Sequence, residues 1–183
     1  MIRLEKFTEN DFKQLIEWIN NDHLLTNWAG SLFSFPLTDD SLDWYIKDTN
    51  DLLKSDALVY KAVETETGET VGHISLGSIS RKNRAGRISR VLVGNNADRG
   101  KGICCSMVTA ILKIAFEELN LHRVALGVYD FNEAAIGCYK KCGFTEEGKM
   151  RDVLLYKDEF WSLVEMGILE DEWFKKHPKE MIT

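Results

Sequence analysis

The chain has few prolines, no long apolar run and no excess of basic residues. Two prolines among 183 residues argue against a proline-rich linker or a collagen-like segment. Every apolar run is far shorter than the roughly 20 residues that a membrane-spanning helix needs. Residues 1–6 also lack the apolar core of a secretory signal peptide. We therefore expect a cytoplasmic protein with no membrane partner.

The charge balance is acidic, since 23 lysines and arginines face 29 aspartates and glutamates, for a formal net charge of -6. A protein that coats a nucleic-acid backbone is usually basic, so we expect no nucleic-acid partner. Hydrophobic residues make up 44% of the chain and charged residues 28%, which is typical of a folded globular protein. The length predicts one domain over residues 1–183, as a monomer or a homodimer.

Four cysteines occur in the second half of the chain, at Cys104, Cys105, Cys138 and Cys142. In a reducing compartment we expect free thiols rather than disulfides. The spacing of Cys138 and Cys142 suits one helix face, but no histidine pair lies nearby in the sequence. We therefore expect no metal site.

The apolar periodicity predicts a mixed α/β protein. Strands are expected at Ile2–Phe7, Ala57–Val63, Thr70–Ser78, Arg87–Val93, Arg123–Val128, Phe144–Glu147, Val153–Tyr156 and Phe160–Leu169. Helices are expected at Glu9–Asn20, from Thr38 onward, and at Gly100–Leu119, Asn132–Lys141 and Glu170–Lys176. The segment from Asn21 to Pro36 is expected to be irregular.

A strand that ends at Val93 precedes a glycine-containing turn and a long amphipathic helix. The exposed N–H groups and the positive dipole end of such a helix start attract anions. Gly100 and Gly102 place no side chain where a phosphate must approach, and Arg99 and Lys101 add positive charge. Neither the Walker pattern nor the dinucleotide-binding pattern of glycines is present, so a helix start without a ligand is the alternative.

Two blocks of the sequence resemble the GNAT superfamily of N-acetyltransferases. The family's pyrophosphate signature Q/R-x-x-G-x-G/A is similar to Arg99-Gly100-Lys101-Gly102-Ile103-Cys104, in which a small cysteine replaces the last Gly or Ala. The family's second characteristic block is similar to residues 130–144, which read DFNEAAIGCYKKCGF. The part from Glu147 to Trp173 looks like the branch that contains the ribosomal-protein N-terminal acetyltransferases. The resemblance covers essentially the whole chain.

The resemblance implies the GNAT fold, a mixed and mostly antiparallel central sheet of about seven strands, splayed in the middle, with helices on both faces. It implies acetyl-CoA as cosubstrate and direct attack by a primary amine on the thioester. The strand Arg87 to Val93 would splay from the strand after Leu121, and pantetheine would lie in the opening. The expected cofactor-binding residues are Leu92, Val93, Arg99, Gly100, Lys101, Gly102, Ile103, Cys104 and Asn132.

Proton transfer sets two further requirements. A neutral tyrosine can donate a proton or a hydrogen bond to the departing thiolate, and the resemblance implies that Tyr139 lies beside the CoA sulfur. Tyr139 is therefore the candidate catalytic residue, and a core aromatic is the alternative. Loss of the substrate proton at pH 7 costs about 1 kcal/mol for an α-amine and roughly 4–5 kcal/mol for an alkyl amine. The strand Arg87–Val93 has no acid where many relatives carry a glutamate, and candidate bases elsewhere are Asp130, His73, His23 and Asp152.

The segment from Asn21 to Asp51 is where relatives vary most, so we expect it to form the wall of the acceptor site. Trp28, Trp44 and Trp161 are candidates for lining that site, although large aromatics more often lie in a core. We expect an N-acetyltransferase whose leading acceptor is a ribosomal-protein-like N-terminal amine. The alternatives are a small-molecule amine (an aminoglycoside or a polyamine) and a non-catalytic acyl-CoA-binding sensor.

Overall fold

The computed structural model describes residues 1–95 and 100–178. A seven-stranded sheet forms its centre, in the spatial order β1-β2-β3-β4-β5-β7-β6. Its strands are β1 Ile2–Lys6, β2 Leu58–Glu64, β3 Thr70–Ser80, β4 Ala85–Val93, β5 Arg123–Tyr129, β6 Thr145–Tyr156 and β7 Glu159–Leu169. The helices are α1 Phe12–Trp18, α2 Asp22–Ala29, α3 Asp39–Ile46, α4 Ile103–Lys113, α5 Glu133–Cys142 and α6 Glu170–Lys176. A 3-10 turn at Glu9–Asp11 precedes α1, and a π-helical turn at Ile114–Glu118 continues α4.

The sheet opens between its two parallel strands. β4 and β5 pair in parallel from Ala85 with Arg123 to Ile88 with Leu126, whereas the other described neighbours are antiparallel. Beyond Ile88, β4 continues to Val93 without ladder partners on β5. Arg90 has a left-handed φ of 53°, and the β3–β4 register shifts beside it, as in a β-bulge. This geometry confirms the expected fold with its sheet splayed in the middle.

Helices cover both faces of the sheet. Leu58 and Ala62 of β2 pack in one apolar cluster with α4 and α6, whereas the intervening Val59 packs in a second cluster with α1, α2 and α3. Because alternate residues of a strand point to opposite faces, the two clusters lie on opposite sides of the sheet. Leu92 of β4 belongs to the second cluster, so α2 is held against the strand that borders the opening.

Three predicted segments differ clearly from the structure. Residues 22–29 form α2 rather than an irregular segment, because Asn21 caps the first turn by accepting the Leu24 N–H at 2.8 Å. β6 runs unbroken from Thr145 to Tyr156, with register shifts against β7 where a loop was expected. α4 starts at Ile103, because Gly100 and Gly102 both take a left-handed φ. Within the described ranges, no helix has the length and apolar character to span a bilayer.

Candidate active site

A cavity of about 910 Å³ fills the opening between β4 and β5. Its size is within the range of small-molecule and cofactor sites. Its walls come from α2, the splayed ends of β4 and β5, the start of α4 and one face of α5. Of the expected cofactor and catalytic residues, the cavity brings together Leu92, Val93, Gly100, Gly102, Ile103, Cys104, Asn132 and Tyr139. Arg99 lies outside the described residues, and Lys101 is exposed and stands apart from the cavity lining.

The start of α4 lies at the wall of this cavity and has no side-chain cap among the described residues. Gly102 is the N-cap residue, and it has no side chain to accept from the first-turn N–H groups. A Cβ built on Gly100 or Gly102 would meet no atom of the described residues within 4 Å. Both glycines line the cavity, and the helix dipole there favours an anionic ligand.

The charges on the cavity wall are cationic. Arg87, Arg90 and Lys141 line the cavity, and no aspartate or glutamate does so among the described residues. Arg87 forms a bidentate ion pair with Glu165 at 2.7 and 2.8 Å, so its charge is largely compensated. The lining is thus suited to phosphate groups, and a cationic acceptor would have no carboxylate to bind along this described wall.

The face of α5 carries both residues that the sequence places in one block. Asn132 caps the helix by accepting the Ala135 N–H at 3.2 Å, and Tyr139 follows two turns later on the same side. Tyr139 is buried, and loss of solvent together with the nearby thiols raises its pKa well above 10. The phenol is therefore neutral at physiological pH and retains its proton for donation.

The four candidate bases have different surroundings. His23 of α2 lines the cavity, with its ring 5.1 Å from that of Trp161. Asp130 is held in an ion pair with Lys149 at 2.6 Å, and Asp152 is exposed on β6. His73 is 1% exposed, and burial lowers its pKa to about 4. His23 is therefore the one of these four that reaches the cavity wall.

A buried polar cluster lies behind the β4 wall. Its members are Trp28 Nε1, Tyr45 Oη, His73 Nε2 and Arg90 Nε, which are buried and have no hydrogen-bond partner in the described part of the chain. His73 Nδ1 donates to the Arg90 carbonyl at 3.0 Å, so neutral Nε2 is an acceptor, and the Trp28 ring lies 5.3 Å from the imidazole. Trp28 and Arg90 of this cluster also line the cavity, so polar side chains adjoin the site on this side.

Sequence reasoning missed this cluster because its members come from α2, α3, β3 and β4. Arg90 directly follows the polar Ser89, where the polar and apolar alternation of the strand breaks, and its left-handed φ lies at the bulge. Three tryptophans were candidates for the acceptor site. Trp28 lines the cavity, Trp161 packs beside Tyr129 and His23, and Trp44 is 61% exposed. Of residues 21–51, those that line the cavity belong to α2 and to Gly30, which follows it.

The splayed sheet and the donor-rich helix start define an acyl-CoA-dependent transferase site. The family model "Acetyltransferase (GNAT) domain" matches residues 2–145, and the chain belongs to this family of acetyl-CoA-dependent N-acetyltransferases. Acetyl-CoA is the cosubstrate of this family, and the donor-rich start of α4 and the cationic wall fit its phosphates.

The relatives differ in the acceptor that their names state. The chain is 35% identical over 106 residues to the putative ribosomal N-acetyltransferase YdaF of Bacillus subtilis, covering 58% of this chain and 57% of that one. It is 26% identical over 156 residues to aminoglycoside N(6')-acetyltransferase type 1 of Klebsiella pneumoniae, covering 80% and 75%. Spermidine N-acetyltransferase from Vibrio cholerae, solved with CoA and spermine, has the same fold, with a TM-score of 0.81 at 20% identity over 94% of this chain and 98% of that chain.

Proposed function

We propose that this N-acetyltransferase acetylates the primary amine of a small molecule in the cavity between β4 and β5. The observation that carries the proposal is that both motif blocks line one cavity at the point where the parallel strands part. The amine attacks the thioester carbonyl, a C–N bond forms, and the C–S bond breaks to release the CoA thiolate.

The cofactor's pyrophosphate is assigned to the turn before α4. The first-turn N–H groups from Ile103 onward and the open space at Gly100 and Gly102 support this assignment. Arg99 and Lys101 remain candidates for further phosphate contacts. The pantetheine arm is assigned to the β4 backbone at Leu92 and Val93 and to Asn132, all of which line the cavity.

Tyr139 is proposed to assist departure of the thiolate. It lines the cavity, and its raised pKa keeps the hydroxyl protonated until negative charge develops on sulfur. His23 is proposed as the base that receives the amine proton, directly or through water, because it lines the α2 side of the cavity. His73 is a weaker candidate, since a group of pKa about 4 accepts a proton poorly at neutral pH.

The small-molecule acceptor is favoured over the N-terminal amine that the sequence placed first. The similarity to the aminoglycoside acetyltransferase spans most of the chain, and the spermidine acetyltransferase has the same fold over nearly its whole length. On the described wall, cationic groups of such an acceptor would meet the aromatic faces of Trp28, Tyr129 and Phe131 rather than carboxylates. The similarity to YdaF, at higher identity but over a shorter stretch, keeps a protein N-terminus as the second candidate.

The test is thiol release from acetyl-CoA by the purified chain with spermidine, spermine, an aminoglycoside and a short peptide with a free N-terminus. We expect kcat/KM for at least one small amine to exceed that for the peptide by tenfold or more. The reverse order would support the second candidate. Acetyl-CoA binding by calorimetry without turnover on any amine would instead support the acyl-CoA sensor.

A further inference from the structure

Two pairs of thiols join the start of α4 to α5. Cys104 Sγ lies 2.6 Å from Cys138 Sγ, and Cys105 Sγ lies 2.8 Å from Cys142 Sγ. Cys104 and Cys105 are neighbours on α4. They face Cys138 and Cys142, which are four residues, or about one turn, apart on α5. All four cysteines are free thiols in the structure. A sulfur–sulfur bond is about 2.0 Å long, so the first pair needs only about 0.6 Å of approach to form one.

The two members of the first pair differ in acidity. Hydrogen bonding with the Cys104 and Cys142 thiols, together with the positive charge of Lys141, lowers the pKa of Cys138. The pKa of Cys104 is raised by its hydrogen bond to Cys138 and by burial. Cys138 is therefore the more acidic thiol of the pair. When a second thiol lies beside the reacting thiolate, oxidation proceeds to a disulfide rather than to a sulfinic or sulfonic acid.

Solutes can reach this pair through the cavity. Cys104, Cys105 and Cys138 belong to the cavity lining, and Cys104 and Cys138 are partly exposed, whereas Cys142 is buried. The second pair therefore has one buried partner, Cys142, which is 7% exposed. This difference selects Cys104 and Cys138 as the pair that an external oxidant meets first.

We propose that Cys104 and Cys138 are a modification site at which hydroperoxides form an intramolecular disulfide between α4 and α5. The Cys138 thiolate attacks a peroxide oxygen, the O–O bond breaks, and a sulfenic acid and hydroxide form. The Cys104 sulfur then attacks the sulfenic sulfur, the S–S bond forms as the S–O bond breaks, and the departing hydroxide leaves as water with the Cys104 proton. The hydroxide from the first step takes up the proton that Cys138 released on ionising and gives the second water. Two thiols are oxidised and one hydrogen peroxide is reduced to two molecules of water.

The disulfide would lie in the wall of the cofactor cavity. Cys104 is in the first turn of α4, beside the proposed pyrophosphate site, and Cys138 precedes Tyr139. If the cavity holds CoA as proposed above, bound CoA covers the route to Cys138. We then expect saturating CoA to slow disulfide formation at least tenfold. This protection rests on the proposed function, whereas disulfide formation without CoA does not.

The test uses the reduced full-length protein, treated with hydrogen peroxide, quenched with an alkylating reagent and digested with trypsin without reduction. Trypsin separates the cysteines usefully, since Cys104 and Cys105 share peptide 102–113, Cys138 lies in 124–140 and Cys142 in 142–149. We expect a linked 102–113/124–140 species and the loss of two free thiols. A linked 102–113/142–149 species alone, or no linked species while Cys138 alkylates freely, would overturn the proposal.

Single substitutions assign the bond. Cys105→Ser is the matched control, since it leaves the first pair intact and the linked 102–113/124–140 species should still form. Cys104→Ser should leave Cys138 at the sulfenic acid, which dimedone traps. Formation of the same linked species in Cys104→Ser at the wild-type rate would refute the pairing. Calorimetry of CoA on the reduced protein shows separately whether a lack of protection reflects a failure of the cofactor assignment.

Discussion

The variant Gly102→Ala tests whether Gly102 is needed for ligand binding or only for the backbone conformation of the turn. Gly102 has a φ of +83°, so an alanine there is strained by about 1–2 kcal/mol, although no atom of residues 1–95 or 100–178 lies within 4 Å of the new Cβ. Gly68, in the turn between β2 and β3, has a φ of +75° and equally open surroundings, and it is outside the cavity lining. Gly68→Ala is therefore a control that matches the strain without touching the site.

The two variants should lose similar stability and differ in cofactor binding. We expect each to lower the free energy of unfolding by about 1–2 kcal/mol, measured by urea titration. Only Gly102→Ala adds a methyl group where the pyrophosphate is assigned, so only it should weaken CoA binding, by about tenfold or more. That factor corresponds to at least about 1.4 kcal/mol of binding free energy, which calorimetry resolves.

Equal CoA affinity of folded Gly102→Ala and Gly68→Ala would refute the reasoning. The helix start would then be a structural feature, and the phosphates would have to bind elsewhere along the cationic wall. A loss of affinity in both variants would show that strain alone perturbs the cavity from a distance, and it would equally remove the assignment from Gly102.

Four further predictions follow from the site. Tyr139→Phe keeps the ring and removes the proton donor, so kcat should fall by about 10²- to 10⁴-fold, while the affinity for acetyl-CoA should stay within twofold of the wild type. Unchanged turnover under conditions where chemistry limits the rate would show that Tyr139 only packs. His23→Gln should lower kcat/KM at pH 7 at least tenfold and shift its pH dependence towards that of the free amine; an unchanged profile would exclude His23 as the base. His73 binds its proton less tightly folded (pKa about 4) than unfolded (about 6.5), so stability should fall by up to about 1.4 kcal/mol per pH unit between those values as the pH is lowered. Urea midpoints at pH 7 and pH 5 should differ less in His73→Asn than in the wild type, and an equal difference would contradict the depressed pKa. Asn21→Ala removes the α2 cap and should cost about 1 kcal/mol while raising the acceptor KM more than that of acetyl-CoA; unchanged stability would show that packing alone holds α2.

Much of the fold could be predicted from local sequence patterns. The apolar, β-prone residues of β2, the glycines before α4 and the Asn132 cap of α5 act over a few residues, so each leaves a pattern in the sequence. Where packing outweighs local preference, the pattern was misleading. The α2 segment has polar residues on its outer side, and its helix depends on the Asn21 cap and on burial of Leu25 and Trp28 in the second core cluster.

The motif blocks were sufficient to predict a cofactor site, because the turn at Gly100–Cys104 and the helix from Asn132 to Tyr139 carry their chemistry in continuous stretches. The sequence by itself therefore determined the family and the cosubstrate, and it predicted the residues that are proposed to bind the cosubstrate. The side of the cavity proposed for the acceptor was decided by tertiary structure alone. Its wall combines His23 of α2 with Arg90 at the β4 bulge, and its buried polar atoms come from four separate elements.

The cysteine pairs were also decided by tertiary structure. Their members are 34 and 37 residues apart in the sequence, and only the packing of α4 on α5 brings the sulfur atoms together. Contacts between distant residues depend on how the sheet splays and the helices pack, and neither leaves a local periodicity in the chain.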